Sequence, residues 1–150
     1  MQDDQKTKVL LVDDDHFLLD MYSLKFGRGG LDVVAAAGAA EALKKLKDGF
    51  HPDIMVLDVV MPGMDGIELL ETIRKENLAP DAVVVMLTNQ GQSSDIERAK
   101  KVGVHGYIVK ASTIPSEVLQ EIRSIYETNR KKGKKGGGEA AAGEEKAEGK

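Results

Sequence analysis

The chain has 150 residues, which suits one domain with a single core. It contains no cysteine, which excludes disulfides and thiolate chemistry and agrees with a reducing compartment. The polar start, MQDDQKTK, does not resemble a secretory signal, and no apolar stretch approaches the ~20 residues that span a bilayer. We therefore expect a soluble cytoplasmic protein with no membrane partner.

Charge is distributed unevenly along the chain. The net charge is −4, but the last 20 residues carry six Lys and four Glu, so the first 130 residues have a net charge of −6. An acidic body argues against direct binding of nucleic acid. The Lys-, Gly-, Glu- and Ala-rich segment 131–150 lacks the apolar residues needed to order itself, which predicts a disordered tail. The domain is expected at residues 7–130, after a flexible N-terminus of residues 1–6.

Five short runs rich in Val, Ile and Leu predict the strands. They are KVLLV (8–12), LDVVAAA (31–37), DIMVL (53–57), AVVVML (82–87) and GYIV (106–109). The apolar residues mostly do not alternate with polar ones, which is typical of strands covered on both faces. The segments between the runs have the spacing of helices. Alternating strands and helices predict an α/β fold with a parallel sheet and helices on both of its faces.

Apolar residues at helical spacing predict the core-facing side of three helices. The predicted stripes are Phe17, Met21 and Leu24 in the first helix, Ala39, Leu43, Leu46 and Phe50 in the second, and Ile114, Val118, Ile122 and Ile125 in the last. Pro115 suits the first turn of the last helix, where a missing N–H costs nothing. Asp15 and Asp65 are the expected N-caps of the helices that follow them.

Charged and hydroxyl side chains follow the ends of four strands. Residues 13–15 are three aspartates after the first run, and Asp58, Thr88 and Lys110 follow or end the third, fourth and fifth runs. In open parallel α/β sheets, ligands bind outside the carboxyl ends of the strands. The sequence therefore predicts a functional site where these residues meet.

The residue types at these strand ends indicate phosphate chemistry. Two carboxylates 4 Å apart repel by about 4 kcal/mol at an effective dielectric of 20, so a cation or a proton must lie between them. Oxygen ligands without His or Cys favour Mg²⁺, with Mn²⁺ as a substitute. Mg²⁺ shares phosphate oxygens, to which Lys110 and Thr88 can also donate. An aspartate can attack a phosphoryl group, and Asp58 has the central position for this role.

Four motifs in register carry a family resemblance. LLVDDD, DIMVLDVVMPGMDG, VVVMLTNQG and GYIVK, in this order and spacing, resemble the receiver domain of bacterial two-component response regulators, particularly single-domain, chemotaxis-regulator-like ones. The resemblance covers roughly residues 7 to 128. It implies a flavodoxin-like, doubly wound sheet of five parallel strands in the order 2-1-3-4-5.

The resemblance also implies roles for the acidic residues. Asp58 would be the phosphoacceptor, and Asp13 and Asp14 would be the acidic pair. Mg²⁺ would be held by Asp14, Asp58 and the backbone carbonyl of Val60. Asp13 would reach the ion through water.

Three further residues are assigned by the same resemblance. Thr88 and Lys110 would contact the phosphoryl group, and Tyr107 would be the aromatic residue of the switch. The family usually has proline after the lysine, often with a cis bond, whereas this chain has Ala111. Since a cis bond before a non-proline residue costs ~2.5–4 kcal/mol, we expect a trans bond or a strained cis bond there.

The function expected from these features is that of a phosphorylation-dependent signalling switch. A histidine kinase or a phosphotransfer protein would phosphorylate Asp58. The protein would not be an enzyme, although it would assist its own phosphotransfer and dephosphorylation. Its output would be a downstream protein bound through residues 94–102, 107–109 and 116–123. It would be a monomer or a phosphorylation-dependent dimer.

Three other classes of function agree less well with the sequence. A Mg²⁺-dependent aspartyl-phosphate hydrolase usually has a second acid two residues after its nucleophile, where this chain has Val60. A flavin-binding electron carrier of the same topology needs a loop that cradles phosphate, where residues 13–15 would repel it. Nucleic-acid binding through the tail is opposed by the acidic body.

Overall fold

A computed structural model describes residues 6–88, 93–110 and 113–135. Its five strands are β1 (Lys8–Val12), β2 (Asp32–Ala36), β3 (Ile54–Leu57), β4 (Val83–Thr88) and β5 (Gly106–Val109). They form one sheet in the order β2-β1-β3-β4-β5, and every neighbouring pair is parallel. This confirms the predicted doubly wound, flavodoxin-like fold.

Five helices connect or follow the strands. They are α1 (His16–Arg28), α2 (Ala39–Lys47), α3 (Gly66–Lys75), α4 (Ser93–Val102) and α5 (Pro115–Lys135). Asp15 caps α1 by accepting hydrogen bonds from the backbone N–H groups of Phe17 and Leu18, at 3.0 and 3.2 Å. Asp65 caps α3 and forms a reciprocal capping box with Glu68. Both predicted N-caps are therefore confirmed.

Alternate residues of the strands point into two separate core layers. On one face, strand residues such as Leu10, Met55 and Val84 pack with α2, α3 and α4. On the other face, residues such as Val9 and Val56 pack with α1 and α5. The central strands β1, β3 and β4 are thus covered on both sides, which explains their nearly continuous apolar sequences.

The core-facing side of α1 was predicted wrongly. Phe17 is 75% exposed and Leu24 is 56% exposed, whereas the buried residues of the helix are Leu19, Tyr22 and Phe26. Both sets have helical spacing, so periodicity alone could not choose between them. The contacts of α1 with β2 and α5 decide which set is buried.

Two further expectations about the last helix require correction. Ile114 is 59% exposed and precedes α5, which begins at Pro115. The helix continues to Lys135, five residues beyond the predicted end of the domain. Lysine is a good helix former, and extending an existing helix needs no new nucleus, which explains the longer helix. Residues 136–150 and the bond between Lys110 and Ala111 lie outside the described residues.

None of the helices in the described ranges is both long and apolar enough to cross a bilayer.

Candidate functional site

The structure brings together the acidic residues at the ends of β1 and β3. Val12 and Leu57 are paired in these adjacent strands, and the backbone N–H of Asp58 donates to the carbonyl of Val12 at 3.0 Å. Each of Asp13, Asp14 and Asp58 contributes one carboxylate oxygen to a group in which all of these atoms lie within 4.8 Å of one another. The predicted convergence of the strand ends is therefore confirmed.

Lys110 enters the same cluster from the end of β5. Its Nζ atom donates to Asp13 Oδ2 at 2.9 Å and lies 3.8 Å from Asp58 Oδ1. Asp13, Asp58 and Lys110 are all buried, whereas Asp14 is exposed. The cluster is therefore enclosed by protein around Asp13, Asp58 and Lys110 and is open to solvent at Asp14.

Burial raises the pKa of Asp58 to about 7. The nearby charge of Lys110 opposes this shift, while the charges of Asp13 and Asp14 add to it, and a hydrogen bond from the backbone of Val60 again favours ionisation. Near neutral pH the carboxyl group is consequently divided between its protonated and ionised forms. An additional cation between the three carboxylates would shift it towards the ionised, nucleophilic form.

The donor set fits a hard divalent cation. Three convergent carboxylate oxygens and no nitrogen or sulfur ligand are what Mg²⁺ and Mn²⁺ prefer. Mg²⁺ usually keeps several water ligands, and the exposed Asp14 side leaves room for them. Val60 follows at the rim, with its side chain 62% exposed.

The backbone that follows Asp58 is packed tightly against the start of α3. A Cβ atom on Gly66 would lie 2.1 Å from the carbonyl oxygen of Asp58, and the Gly66 N–H donates to the Val59 carbonyl at 2.9 Å. Only glycine allows this approach. The turn PGMDG therefore brings the N-terminus of α3 against the backbone of the candidate phosphoacceptor.

Thr88 lies on β4, which is paired with β3, and Tyr107 lies on β5, the next strand towards the edge of the sheet. Thr88 ends β4, is 1% exposed and is paired with Val109. Tyr107 is partly buried against the core layer that contains α3 and α4. Burial raises the pKa of its phenol, and the charges of Asp95 and Asp58 raise it further. Tyr107 is therefore electrostatically linked to the site although it lies on another strand.

Two residues near the site were not identified from the sequence. Tyr22 on α1 is 3% exposed, and burial raises the pKa of its phenol; the charges of Lys110 and Asp13 also act on it. Arg98 on α4 forms an ion pair with Asp65, the cap of α3. The buried stripe of α1, had it been recognised, would have indicated Tyr22. No sequence signal indicated Arg98.

A pocket of about 390 Å³ opens beside the phosphoacceptor loop. It is lined by Val59, Val60, Met61, Gly63, Asp65, Glu68 and Asp95. Three of these lining residues, Asp65, Glu68 and Asp95, carry carboxyl groups.

A doubly wound sheet with an acid cluster and a lysine at its carboxyl edge defines the class of protein. The model of the response regulator receiver domain matches residues 9–123, and the chain belongs to this family. The family acts as a signalling switch in two-component systems.

Curated relatives include longer proteins that are named as transcriptional regulators. The chain is 36% identical over 121 residues to the probable transcriptional regulator ycf27 of Porphyridium aerugineum, covering 81% of this chain and 48% of the relative. It is 33% identical over 118 residues to the alkaline phosphatase synthesis transcriptional regulatory protein PhoP of Bacillus subtilis, covering 79% and 48%. The chain thus spans about half the length of these relatives.

Solved structures of similar length share the fold. The chemotaxis protein CheY4 of Vibrio cholerae is 30% identical, with a TM-score of 0.75, and the match covers 81% of this chain and 99% of that one. A CheY-like receiver domain protein of Methanospirillum hungatei is 28% identical, with a TM-score of 0.77, covering 85% and 99%.

Proposed function

We propose that the protein accepts a phosphoryl group on Asp58 from a histidine kinase or a phosphotransfer protein, and that this switches a protein-binding surface. The observation that carries the proposal is the position of Asp58, whose carboxylate lies with those of Asp13 and Asp14 and 3.8 Å from the Lys110 ammonium. The DNA-binding or enzymatic outputs of longer relatives are not part of this proposal.

The proposed reaction uses the ionised carboxylate of Asp58 as nucleophile. A carboxylate oxygen attacks phosphorus, the bond from phosphorus to the donor nitrogen breaks, and its electron pair stays with the donor. A Mg²⁺ ion held by Asp14, Asp58 and the Val60 carbonyl, with Asp13 acting through water, would supply positive charge to the phosphoryl oxygens. Lys110 supplies a second positive charge to the same oxygens.

Thr88 and Tyr107 are proposed to transmit the change. The phosphoryl group offers new acceptor oxygens to the Thr88 hydroxyl, and drawing Thr88 inward leaves space that Tyr107 can fill. The output surface is proposed at residues 94–102, 107–109 and 116–123. Within 116–123, Val118 and Ile122 are buried, so the available residues are exposed ones such as Glu117 and Gln120.

Exposed apolar side chains around the site support a protein as the phosphoryl donor. Phe17, Val60 and Ile114 are 75%, 62% and 59% exposed, and each follows a strand that ends at the site. Large apolar side chains exposed at one edge are typical of surfaces that bind other proteins. We propose that the donor protein contacts this edge while its phosphoryl group reaches Asp58.

The hydrolase alternative is not proposed. It needs an acid two residues after the nucleophile, and Val60 can neither donate nor accept a proton. Its side chain is exposed rather than directed into a catalytic cluster.

The central experiment measures phosphoryl uptake from acetyl phosphate or phosphoramidate by intact mass. The wild-type protein should gain ~80 Da, the mass of one phosphoryl group, with Mg²⁺ or Mn²⁺ and gain nothing with EDTA. Asp58→Asn should gain no mass, whereas Asp20→Asn, an exposed acid on α1, should label normally. Normal labelling of Asp58→Asn would refute the assignment.

A second measurement addresses the switch. Thr88→Ala and Tyr107→Ala should still accept phosphate, because neither removes the nucleophile. Their amide shifts within residues 94–123 should respond less to beryllofluoride than those of the wild type. If the largest wild-type changes outside the site fall on α1 and α2 instead, the proposed output surface is wrong.

A further inference from the structure

Helix α4 is held to the domain by few apolar contacts. Among residues 94–102, Ala99 is the one that is fully buried, whereas α3 buries five residues, including Ile67 and Leu70. The position of α4 therefore depends more on its polar contacts with neighbouring elements than the position of α3 does.

In the middle of α4, Arg98 provides such a contact. Its Nη2 lies 3.3 Å from Asp65 Oδ2, and its Nη1 lies 3.4 Å from Asp95 Oδ1 on its own helix. Asp65 caps α3 and directly precedes Gly66, which is packed against the backbone carbonyl of Asp58. Arg98 thus connects α4 to the segment that carries the phosphoacceptor.

The C-terminal end of α4 is held by a second arginine. Arg74 on α3 donates from Nη2 to the carbonyl of Gly103 at 2.9 Å and from Nε to that of Val102 at 3.4 Å. A guanidinium at the C-terminus of a helix also interacts favourably with the helix dipole. This contact does not involve the segment that follows the phosphoacceptor, whereas the contact of Arg98 with Asp65 does.

We infer that the Arg98–Asp65 ion pair is a clamp that holds α4 in its unphosphorylated position and thereby sets how readily the switch is activated. The inference rests on the proposed function. Thr88, which is expected to move towards the phosphoryl group, lies five residues before α4 begins. Its movement acts on the N-terminal end of α4, and the clamp resists it because Arg98, in the middle of the helix, pairs with Asp65 and also with Asp95 in the first turn of α4.

Coupling between the clamp and the phosphoryl site must be reciprocal. If the ion pair stabilises the inactive arrangement more than the active one, weakening it must raise the affinity for a phosphoryl analogue. Arg98 is 44% exposed and Asp65 26% exposed, and exposed ion pairs make small contributions. We therefore expect a tightening of about twofold to fivefold.

The experiment titrates beryllofluoride, with Mg²⁺ in excess, into full-length variants and follows amide shifts. Arg98→Met removes the cation and keeps an apolar stem, and Asp65→Ser removes the anion but keeps an N-cap acceptor. Each should bind beryllofluoride about twofold to fivefold more tightly than the wild type. The double variant should bind no more tightly than either single variant, since both remove the same pair. Lys101→Met, an exposed charge on the same helix, should bind like the wild type.

The possible outcomes separate the clamp from the proposed function. If the wild type does not bind beryllofluoride, the proposed function fails. If the wild type binds it but Arg98→Met binds with equal or lower affinity, the clamp is refuted while the proposed function stands. Additive effects of the two single variants would show that Arg98 and Asp65 act separately, which also refutes the clamp. Thermal unfolding of each variant checks that the fold is retained.

Discussion

Lys110 lies closer to Asp13 than to Asp58, with its Nζ atom 2.9 Å from Asp13 Oδ2 and 3.8 Å from Asp58 Oδ1. In this state the lysine therefore compensates mainly the charge of Asp13. Asp58 keeps a raised pKa despite the neighbouring ammonium, because it is buried beside two other carboxyl groups.

Lys110→Met should destabilise the protein by about 3 kcal/mol at pH 8, because it leaves buried carboxylates without their cation. Urea unfolding measures this loss. Mg²⁺ should restore part of it by replacing the missing positive charge. Lys101→Met, an exposed charge on α4, should change stability by less than about 0.5 kcal/mol. Equal effects of the two substitutions would contradict the compensating role of Lys110.

Asp58→Asn should stabilise the protein at pH 8 without Mg²⁺. The folded-state pKa of about 7 lies above the ordinary value of 3.8, so the folded protein binds the Asp58 proton more tightly than the unfolded chain does. Stability from this group is present at low pH and is lost as pH rises from about 4 to about 7. We expect a gain of about 2–4 kcal/mol at pH 8, which disappears towards pH 4.

Urea unfolding across this pH range, with Asp20→Asn as the control, tests the gain. If Asp58→Asn is no more stable than the wild type at pH 8, the ionised Asp58 carboxylate does not destabilise the folded protein. Adding Mg²⁺ should stabilise the wild type more than Asp58→Asn, because the ion relieves the repulsion that the substitution has already removed.

His105 should make the stability depend on pH in the opposite direction. Its Nδ1 accepts a hydrogen bond from the Val84 N–H at 2.9 Å. Burial, with Arg74 as a smaller cause, lowers its pKa to about 4 from the usual 6.5. The stability that neutral His105 contributes to the fold is fully present above pH 6.5 and is lost as the pH falls towards 4. Because His105 is exposed to solvent, which screens its charge, we expect a smaller loss of stability than the pKa shift alone would imply.

His105→Asn keeps a side-chain acceptor for the Val84 N–H but removes the imidazole, which is the group that titrates. Relative to this variant, the wild type should lose stability in urea unfolding between pH 6.5 and pH 4. His51→Asn, at an exposed loop histidine, should leave the pH profile unchanged. Parallel profiles for the wild type and His105→Asn would disprove the assignment.

Gly66→Ala should damage both the fold and the site. Its Cβ would lie 2.1 Å from the carbonyl oxygen of Asp58, so the backbone of the phosphoacceptor must move. We expect a loss of about 2–3 kcal/mol and a weaker response to Mg²⁺. Gly27→Ala meets no atom within 4 Å and lies inside α1, so it should stabilise the protein by about 0.5–1 kcal/mol. Urea unfolding and Mg²⁺ titration compare the two, and similar results would exclude a special role for Gly66.

The sequence by itself determined the strands, the fold and the edge at which the site lies. The apolar runs of buried parallel strands have no competing interpretation when they alternate with helical segments, and parallel strands place all their carboxyl ends on one edge. Asp13, Asp58 and Lys110 therefore had to approach one another once the strand order was known. The N-caps Asp15 and Asp65 were equally evident, because capping depends on residues only two or three positions away.

Only the tertiary structure decided which faces and which distant side chains meet. Helix α1 has apolar residues on opposite sides, and its packing against β2 and α5 buries Tyr22 while it exposes Phe17. Arg98 and Asp65 are separated by 33 positions in the chain and pair only because α3 and α4 pack side by side. The spacing of residues within a segment determines which side chains it can bury and which hydrogen bonds or charges it can offer. The partner of each side chain depends on how all the segments assemble, because each surface charge or apolar stripe has several possible neighbours.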